Sequence, residues 1–327
     1  MKYTKNTIAI LNFIKDQKKL SYTQIHEHFS HMNESTLVRN LQKLTTEGEI
    51  KKIKTGKNTS YTFDPFFNKA AYFDIPFFER PKKQYNFEFL ANYIPNTSSF
   101  LGEKYTRIKE QYVDKNILST FDYQENIRAI ENLMIDLSFS SSKMEGNTYS
   151  YLDTEILIKY NSSAEGKSQF ETQMILNHKN AIKYIIENRK NIQYSKIEFQ
   201  NIHTLLAQGL LTENNLGKIR NTEVKIGGSP YIPLDSAFQL EEQFMIFLEK
   251  LNQIRNPFEQ SLFILVFIPY FQMFIDINKR VSRICTNIPL IKNGFVPFSF
   301  LQINDKDYIT AILSIYELND TSLMRDV

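Results

Sequence analysis

Apolar positions near the N-terminus fall into two periods. Ile8, Leu11 and Ile14 recur at helical spacing, and Ile25 and Phe29 continue it after Ser21, which with Gln24 three residues on makes a capping box. Asn33 can cap a third helix, in which Leu37, Leu41 and Leu44 form the inward stripe and Gly48 supplies the stop. Beyond it the period shortens: Ile50 to Lys54 and Thr59 to Phe63 alternate like strands on either side of Gly56, Lys57 and Asn58. Residues 65–105 lose the helical period. There Pro65, Pro76, Pro81 and Pro95 punctuate a Phe-rich stretch whose aromatics need burial, which predicts a connector packed on the body of the protein. From 106 to 327 helices dominate. Ser195 with Glu198, and Ser236 with Gln239, read as capping boxes, and Asn256-Pro257 followed by Glu259 combines a cap, a first-turn proline and an early acid. One β-hairpin is expected, from Val224 to Ile226 and from Tyr231 to Pro233 around Gly227-Gly228-Ser229. The pattern divides the chain at 1–64, 65–105 and 106–327.

Composition sharpens the fold class to mainly α. Apolar residues make up 42% and aromatics 13%, ample for a buried core and against disorder, while ten glycines fall well short of the usual roughly 7% and disfavour a turn-rich β sandwich. A lone cysteine, Cys285, excludes a disulfide framework and suits a reducing compartment. Lys2 to Asp16 is too charged for a signal peptide, and Leu262 to Ile275, broken by Gln272 and Pro269, is too short to span a bilayer and better suits a buried helix. A cytoplasmic protein without a membrane segment is the expectation.

The net charge of +3 implies no partner by itself, but residues 1–63 carry ten Lys and one Arg against five acids, a net +6. The order helix, helix, helix, two strands resembles a winged helix-turn-helix, a small α+β domain. On its third helix Ser35, Thr36, Arg39, Asn40 and Lys43 are expected to face outward, with Lys51, Lys52, Lys54 and Lys57 on the wing, side chains suited to phosphates and base edges. A soluble face on a protein-docking module is the alternative reading.

The stretch from Phe271 to Arg283 carries the candidate chemistry. It reads as a buried helix that breaks, a short polar loop, and a new helix from Asn278 or Lys279 with Arg280 and Arg283 in its first turn. Cations there oppose the helix dipole unless an anion sits among them, and free N–H groups with two guanidinium forks make a polyphosphate site. Asp276 could hold a divalent metal bridging such phosphates. The plain alternative is that Asp276 or Asn278 is an N-cap and the arginines pair with distant acids. A second misfit bears on this choice. The helix from about Gln124 ends at Met144-Glu145-Gly146, so Glu145 is an acid at a C-terminus, where it too is unfavourable. The two misfits would relieve each other if they met. A Walker-type loop, a His/Cys cluster with metal spacing and a nucleophile elbow are all missing from the sequence.

These residues resemble the Fic (Fido) domain signature HxFx(D/E)GNGRxxR, matched in register by Phe274, Asp276, Asn278, Arg280 and Arg283. Ser141 to Gly146 is similar to the family's inhibitory motif (S/T)xxxE(G/N), and Gly227 to Pro233 to its target-docking flap; the resemblance spans about 106–327. It implies a Fic-type helical bundle with a β-hairpin flap that transfers AMP from ATP, with Mg²⁺, to a hydroxyl of a target protein. It further implies that Phe274 anchors the core, Asp276 binds Mg²⁺, Asn278 helps form the α-phosphate anion hole, and Arg280 holds the outer phosphates. Arg283 would hold the γ-phosphate or, at rest, Glu145, and Gly227, Gly228, Ser229 and Tyr231 would dock a target segment by strand addition. The departures weigh against catalysis. Gln272 stands at the catalytic His position and cannot serve as a base. Ile277 and Lys279 replace two glycines; Ile277 is expected to keep the loop at ordinary backbone angles, and Lys279 either touches phosphate or faces solvent. His203 is expected in the core and His178 on a polar face. Three readings stay open: an impaired transferase autoinhibited by Glu145, a catalytically inactive nucleotide-sensing DNA-binding regulator, and a hydrolase in which Glu145 positions a water to remove AMP. Association as a homodimer, with Glu145 acting within one chain or across two, is left open.

Overall fold

Helix α1 (Lys5–Gln17) buries Thr7, Ile10, Leu11 and Ile14 and leaves Ile8 39% exposed, so Leu11 and Ile14 of the expected stripe face inward and Ile8 does not. The computed structural model describes residues 3–17, 19–56, 58–63, 69–102, 105 and 127–327. The chain divides into two units, Met1–Pro81 and Lys82–Val327. The connector expected over 65–105 is therefore split between them; Lys57 and the start of the helix expected from Gln124 lie outside the described residues.

In the first unit a short strand β1 (Lys19–Ser21) precedes α2 (Tyr22–His28), whose capping box pairs Ser21 with Gln24. Helix α3 (Glu34–Thr46), capped by Asn33, turns Leu37, Leu41 and Leu44 inward. Strands β2 (Lys51–Thr55) and β3 (Asn58–Thr62) pair antiparallel, β1 joins the free edge of β3 to give the order β1-β3-β2, and α4 (Lys69–Asp74) follows. Ser35, Arg39, Lys43 and Lys54 are exposed and Thr36 is half-buried. Asn40 is a correction: it is buried, its Oδ1 accepting from Thr7 Oγ1 at 2.7 Å and its Nδ2 donating to Thr36 O at 2.8 Å. A polar residue one position from Leu41 falls on the inward stripe, and Thr7 on α1 supplies the partner that burial demands.

The second unit is built round one helix. After β4 (Lys83–Gln84) and α5 (Phe87–Ala91) come α6 (Ile127–Lys143), α7 (Tyr151–Tyr160), α8 (Gln169–Asn188) and α9 (Lys196–Ala207), followed by β5 (Tyr231–Ile232), α10 (Ala237–Gln253) and α11 (Pro257–Phe271). The chain closes with α12 (Asn278–Cys285), α13 (Ile288–Lys292), α14 (Asp305–Leu318) and α15 (Ser322–Asp326). Helix α11 is buried from Glu259 to Phe271, apolar on every side because α10, α12, α13 and α14 all pack on it. Its one early acid, Glu259, accepts from Tyr93 Oη, Ser99 Oγ and the N–H groups of Phe100 and Leu101, fastening the 93–101 segment to the central helix. Pro269 has no N–H for Leu265 O, and Ser282 Oγ on α12 donates to that carbonyl at 3.2 Å instead. The proline thus helps dock α12 beside the end of α11.

The expected hairpin is a second correction. Val224 to Ile226 is not a strand, and Tyr231–Ile232 pairs in parallel with Lys83–Gln84. An edge with alternating apolar residues takes whichever partner tertiary packing offers, and here that partner lies about 150 residues upstream. Among the described residues no helix is long and apolar enough to cross a membrane.

Candidate functional site

Helix α11 ends at Gln272, whose left-handed backbone (φ 49°, ψ 49°) turns the chain sharply. Five residues on, Ile277 is also left-handed (φ 71°, ψ 2°), contrary to the expectation of ordinary angles there. A β-branched residue in this region costs about 1–2 kcal/mol. The surroundings over-determine it: its side chain is buried, its N–H donates to Asp276 Oδ1 at 2.6 Å, and its carbonyl accepts from Val281. Burying an Ile side chain contributes about 1.5–3 kcal/mol, enough to offset the strain. The loop therefore keeps the backbone of a glycine without the glycine.

Asn278 closes that loop. Its Oδ1 accepts from Phe274 N–H at 2.9 Å, and its Nδ2 donates to Phe274 O at 2.9 Å and to Gln272 Oε1 at 3.2 Å. Neither it nor Asp276 caps α12, and among the described residues no side chain bonds the first-turn N–H groups of this eight-residue helix as a cap. Phe274 is fully buried, stacked on His203 at 3.8 Å.

The expected contact forms, although Arg283 lies in the last turn of α12 and not in its first, where it was expected. Arg283, with no exposed surface, donates from Nη2 to Glu145 Oε1 at 2.7 Å, and Lys279 Nζ stands 3.5 Å from the other carboxylate oxygen. Burial pushes the Glu145 carboxyl up, but Arg283, Lys279 and Arg280 overrule it and hold it at about 2. Gly146 takes the left-handed turn (φ 87°) that brings Glu145 to this position. Arg280 is only 5% exposed. Its Nη2 is 3.5 Å from Asp276 Oδ2, while its Nε and Nη1 meet no acceptor among the described residues. Two buried guanidinium donors without partners are costly, and an anion is the natural occupant.

Beside these groups lies a cleft of about 290 Å³, lined by Gln272, Asp276 and Lys279 on one side, Tyr308 and Tyr316 on another, and Lys225 with Gly227 at its edge. Gln272 Nε2 donates to Pro269 O and to Tyr316 Oη, so its amide is held in place. Asp276 is exposed, and no cluster of three His, Cys, Asp or Glu that could hold a metal occurs among the described residues. A divalent ion would then rest on the Asp276 carboxylate and on phosphate oxygens, the usual manner of Mg²⁺.

Both histidines of this unit are withdrawn from the cleft. His203 accepts from Gly217 N–H at Nδ1 and donates from Nε2 to Asp276 O; burial lowers its pKa to about 4. His178, expected on a polar face, is fully buried between Met174 O and the Ser141 hydroxyl, and burial lowers it to about 3. Its place in the stripe Met174, His178, Ala181, Ile185 already pointed inward.

The segment expected to dock a target is only partly open. Gly227 and Gly228 are exposed, but Ser229 donates to Glu317 Oε1 at 2.7 Å, and Tyr231 is buried against Tyr316 with its hydroxyl on Tyr270 O. Ser229 and Tyr231 thus serve the segment's own anchorage. Sequence reasoning missed Arg220. Its guanidinium, 4% exposed, donates to the carbonyls of Gln272, Thr222 and Leu234, tying both ends of the 222–234 segment to the loop. Its hydrogen-bond partners are backbone carbonyls, which no charge pattern in the sequence announces.

Residues 193–290 match the Fic/DOC family, a stretch that takes in Arg220, the 222–234 segment and the 272–283 loop. The chain is 26% identical over 230 residues (65% of this chain, 47% of the relative) to the protein adenylyltransferase Fic of Drosophila grimshawi. It is 29% identical over 177 residues (52% and 40%) to the protein of the same name in Nematostella vectensis. The chain spans about half the length of these curated relatives or less. A Fic-domain-containing signalling protein from Bacteroides thetaiotaomicron superposes with a TM-score of 0.54 at 16% identity, covering 67% of this chain and 90% of that one. Fic-1 (residues 134–508) from C. elegans gives 0.54 at 17%, covering 69% and 66%. The bundle thus has the Fic fold.

Proposed function

We propose that the second unit is an ATP-binding module of the adenylyltransferase type, autoinhibited by Glu145, whose AMP transfer to a target-protein hydroxyl is impaired because Gln272 stands where a base is needed. The observation that carries this is the contact between the buried Arg283 and Glu145, near the partnerless donors of Arg280 and joined through Lys279 to the lining of the cleft. ATP would take the place of the Glu145 carboxylate on Arg283 and fill the Arg280 donors with its outer phosphates. Lys279 and the N–H groups of α12, which lack a side-chain cap among the described residues, would add further phosphate contacts. Asp276 would hold Mg²⁺, which when bound neutralises the phosphate charge. The exposed Gly227–Gly228 backbone is where an extended target segment would add.

Replacing Glu145 by Gly is expected to raise ATP·Mg affinity by on the order of tenfold or more, the range of ordinary coupling between competing ligands. Calorimetric titration of the full chain with ATP and Mg²⁺ reads it. No ATP binding by either protein removes the proposal. Release of AMP from a premodified protein by the wild type, lost in Glu145→Gly, would favour the hydrolase reading instead.

A nucleotide sensor without catalysis is the second reading, favoured by the engagement of both imidazoles outside the cleft. We further infer that the first unit contacts duplex DNA, on the strength of exposed Arg39, Lys43 and Lys54 on one helix and one hairpin. Filter binding is expected to weaken steeply between 50 and 200 mM salt and on Arg39→Ala with Lys54→Ala. Absence of salt-sensitive binding at low ionic strength leaves protein docking as the role of this face.

A further inference from the structure

Arg283 is held by more than its acid. Its Nε donates to Ser141 Oγ at 2.8 Å and its Nη2 to Ser141 O at 3.1 Å, in addition to Glu145. The Ser141 hydroxyl can accept from Nε with a lone pair only if its own proton goes elsewhere. The group placed to take that proton is His178 Nε2, 2.9 Å away. The other ring nitrogen, Nδ1, lies 2.8 Å from Met174 O, which can only accept, and 3.2 Å from Ser142 Oγ. Nδ1 therefore carries the hydrogen and Nε2 the lone pair. The result is a chain of bonds across three helices, directional from Arg283 to α8, with Glu145 accepting from the other arm of the guanidinium. Glu145 accepts from Arg283, Arg283 donates to Ser141, Ser141 donates to His178, and His178 donates to the backbone of α8. His178, Ser141 and Arg283 have no exposed surface, so water cannot substitute for any link, and successive bonds polarise one another.

We propose that His178 is a positioning residue for the resting state: as a buried neutral acceptor it aims the Ser141 hydroxyl, which fixes the Arg283 fork in the orientation Glu145 engages. This rests on the nucleotide reading above for its consequence, though not for its geometry. Protonation would remove the lone pair and break the chain, and burial keeps the ring neutral. Gln in its place offers a carbonyl oxygen at similar reach; Phe keeps the volume and removes the acceptor. With Phe, the Ser141 proton would turn to a carbonyl of its own helix, and Arg283 would lose its fixed acceptor at Nε.

Two readouts on the full chain separate the possibilities. The first is the Arg283 Nε–H resonance, expected to be protected from solvent exchange in wild type and His178→Gln and to lose protection in His178→Phe. Ser141→Ala, a smaller perturbation, is expected to mimic His178→Phe. The second is ATP·Mg affinity. It is expected to rise several-fold in His178→Phe, to return towards wild type in His178→Gln, and to show no further gain from His178→Phe in the Glu145→Gly background. Protection of Nε–H unchanged in both His178→Phe and Ser141→Ala overturns the proposal whatever ATP does. So does an ATP affinity unmoved by His178→Phe while Glu145→Gly raises it. Loss of protection with no ATP binding by any variant upholds the positioning role and sinks the nucleotide reading alone.

Discussion

The double variant Glu145→Gly, Gln272→His is expected to label itself with AMP from radiolabelled ATP and Mg²⁺ at least 100-fold faster than Glu145→Gly alone. The magnitude follows from the step each residue limits. Gln272 lines the cleft, and its carboxamide is held by Pro269 O, Tyr316 Oη and Asn278 Nδ2. It can orient a hydroxyl but cannot take its proton, and general-base help is worth about 10²–10⁴-fold. Neither the Tyr316 hydroxyl nor the His203 ring substitutes for it. The Tyr316 hydroxyl is pushed far up by burial, and His203 spends both ring nitrogens on Gly217 and Asp276. An imidazole on the same backbone would enter the cleft beside Asp276 and Lys279, and imidazole is the side chain whose reference range allows it to accept a proton at neutral pH. Removing Glu145 in the same chain matters because Arg283 is otherwise occupied. Equal labelling by Glu145→Gly alone would mean that Gln272 is not the limiting lack. ATP binding without labelling in any variant would leave the sensor as the function.

What could be read from the sequence was local conflict. Glu145 just past a helix C-terminus and Arg280 in the first turn of α12 each violate the dipole preference, and Arg280 helps hold the Glu145 carboxyl down, whereas Arg283, expected in that first turn, lies in the last turn of α12, where a cation is favoured. Caps at Asn33, Ser21 and Asn256 were legible for the same reason: their signal lies within three residues. Asn40 was not. Its outward assignment followed from polarity, and the Thr7 hydroxyl that satisfies it lies 33 residues away on another helix. Tyr231 was assigned to a hairpin because the adjacent chain is the default partner, whereas Lys83–Gln84 is the one it meets.

Ile277 teaches the opposite lesson. Propensity argued that a β-branched residue forbids a positive φ, yet the loop adopts it, because the Asn278 bonds to Phe274 fix the geometry and the buried Ile side chain returns what the strain costs. Backbone shape in this loop is set by side-chain bonds as much as by residue type, so the missing glycines say less about phosphate binding than the missing histidine says about catalysis. His178 and Arg220 had no partners visible in sequence: one bonds a serine 37 positions away, the other three carbonyls.

Acid is expected to cost the second unit about 4 kcal/mol of stability between pH 7 and pH 5. The two buried histidines carry this. Burial lowers His178 to about 3 and His203 to about 4, with Arg280 lowering both further, Arg283 lowering His178, and Glu145 or Asp276 opposing. Both folded values lie below the unfolded value near 6.5, so the folded state binds fewer protons. The stability they contribute is present above about 6.5 and is lost as pH falls towards the folded values. At pH 5 each unfolded imidazole is already protonated while its folded counterpart is not, a difference of about 2 kcal/mol per group. Glu145, held at about 2, adds its own loss only below its unfolded value near 4.5. Urea unfolding followed by tyrosine near-ultraviolet ellipticity at pH 7 and pH 5 measures the shift, and His178→Gln is expected to remove about half of it. A transition midpoint that does not move between these pH values, at constant slope, would mean that the two rings are not the buried, neutral groups on which Ser141 and Asp276 depend.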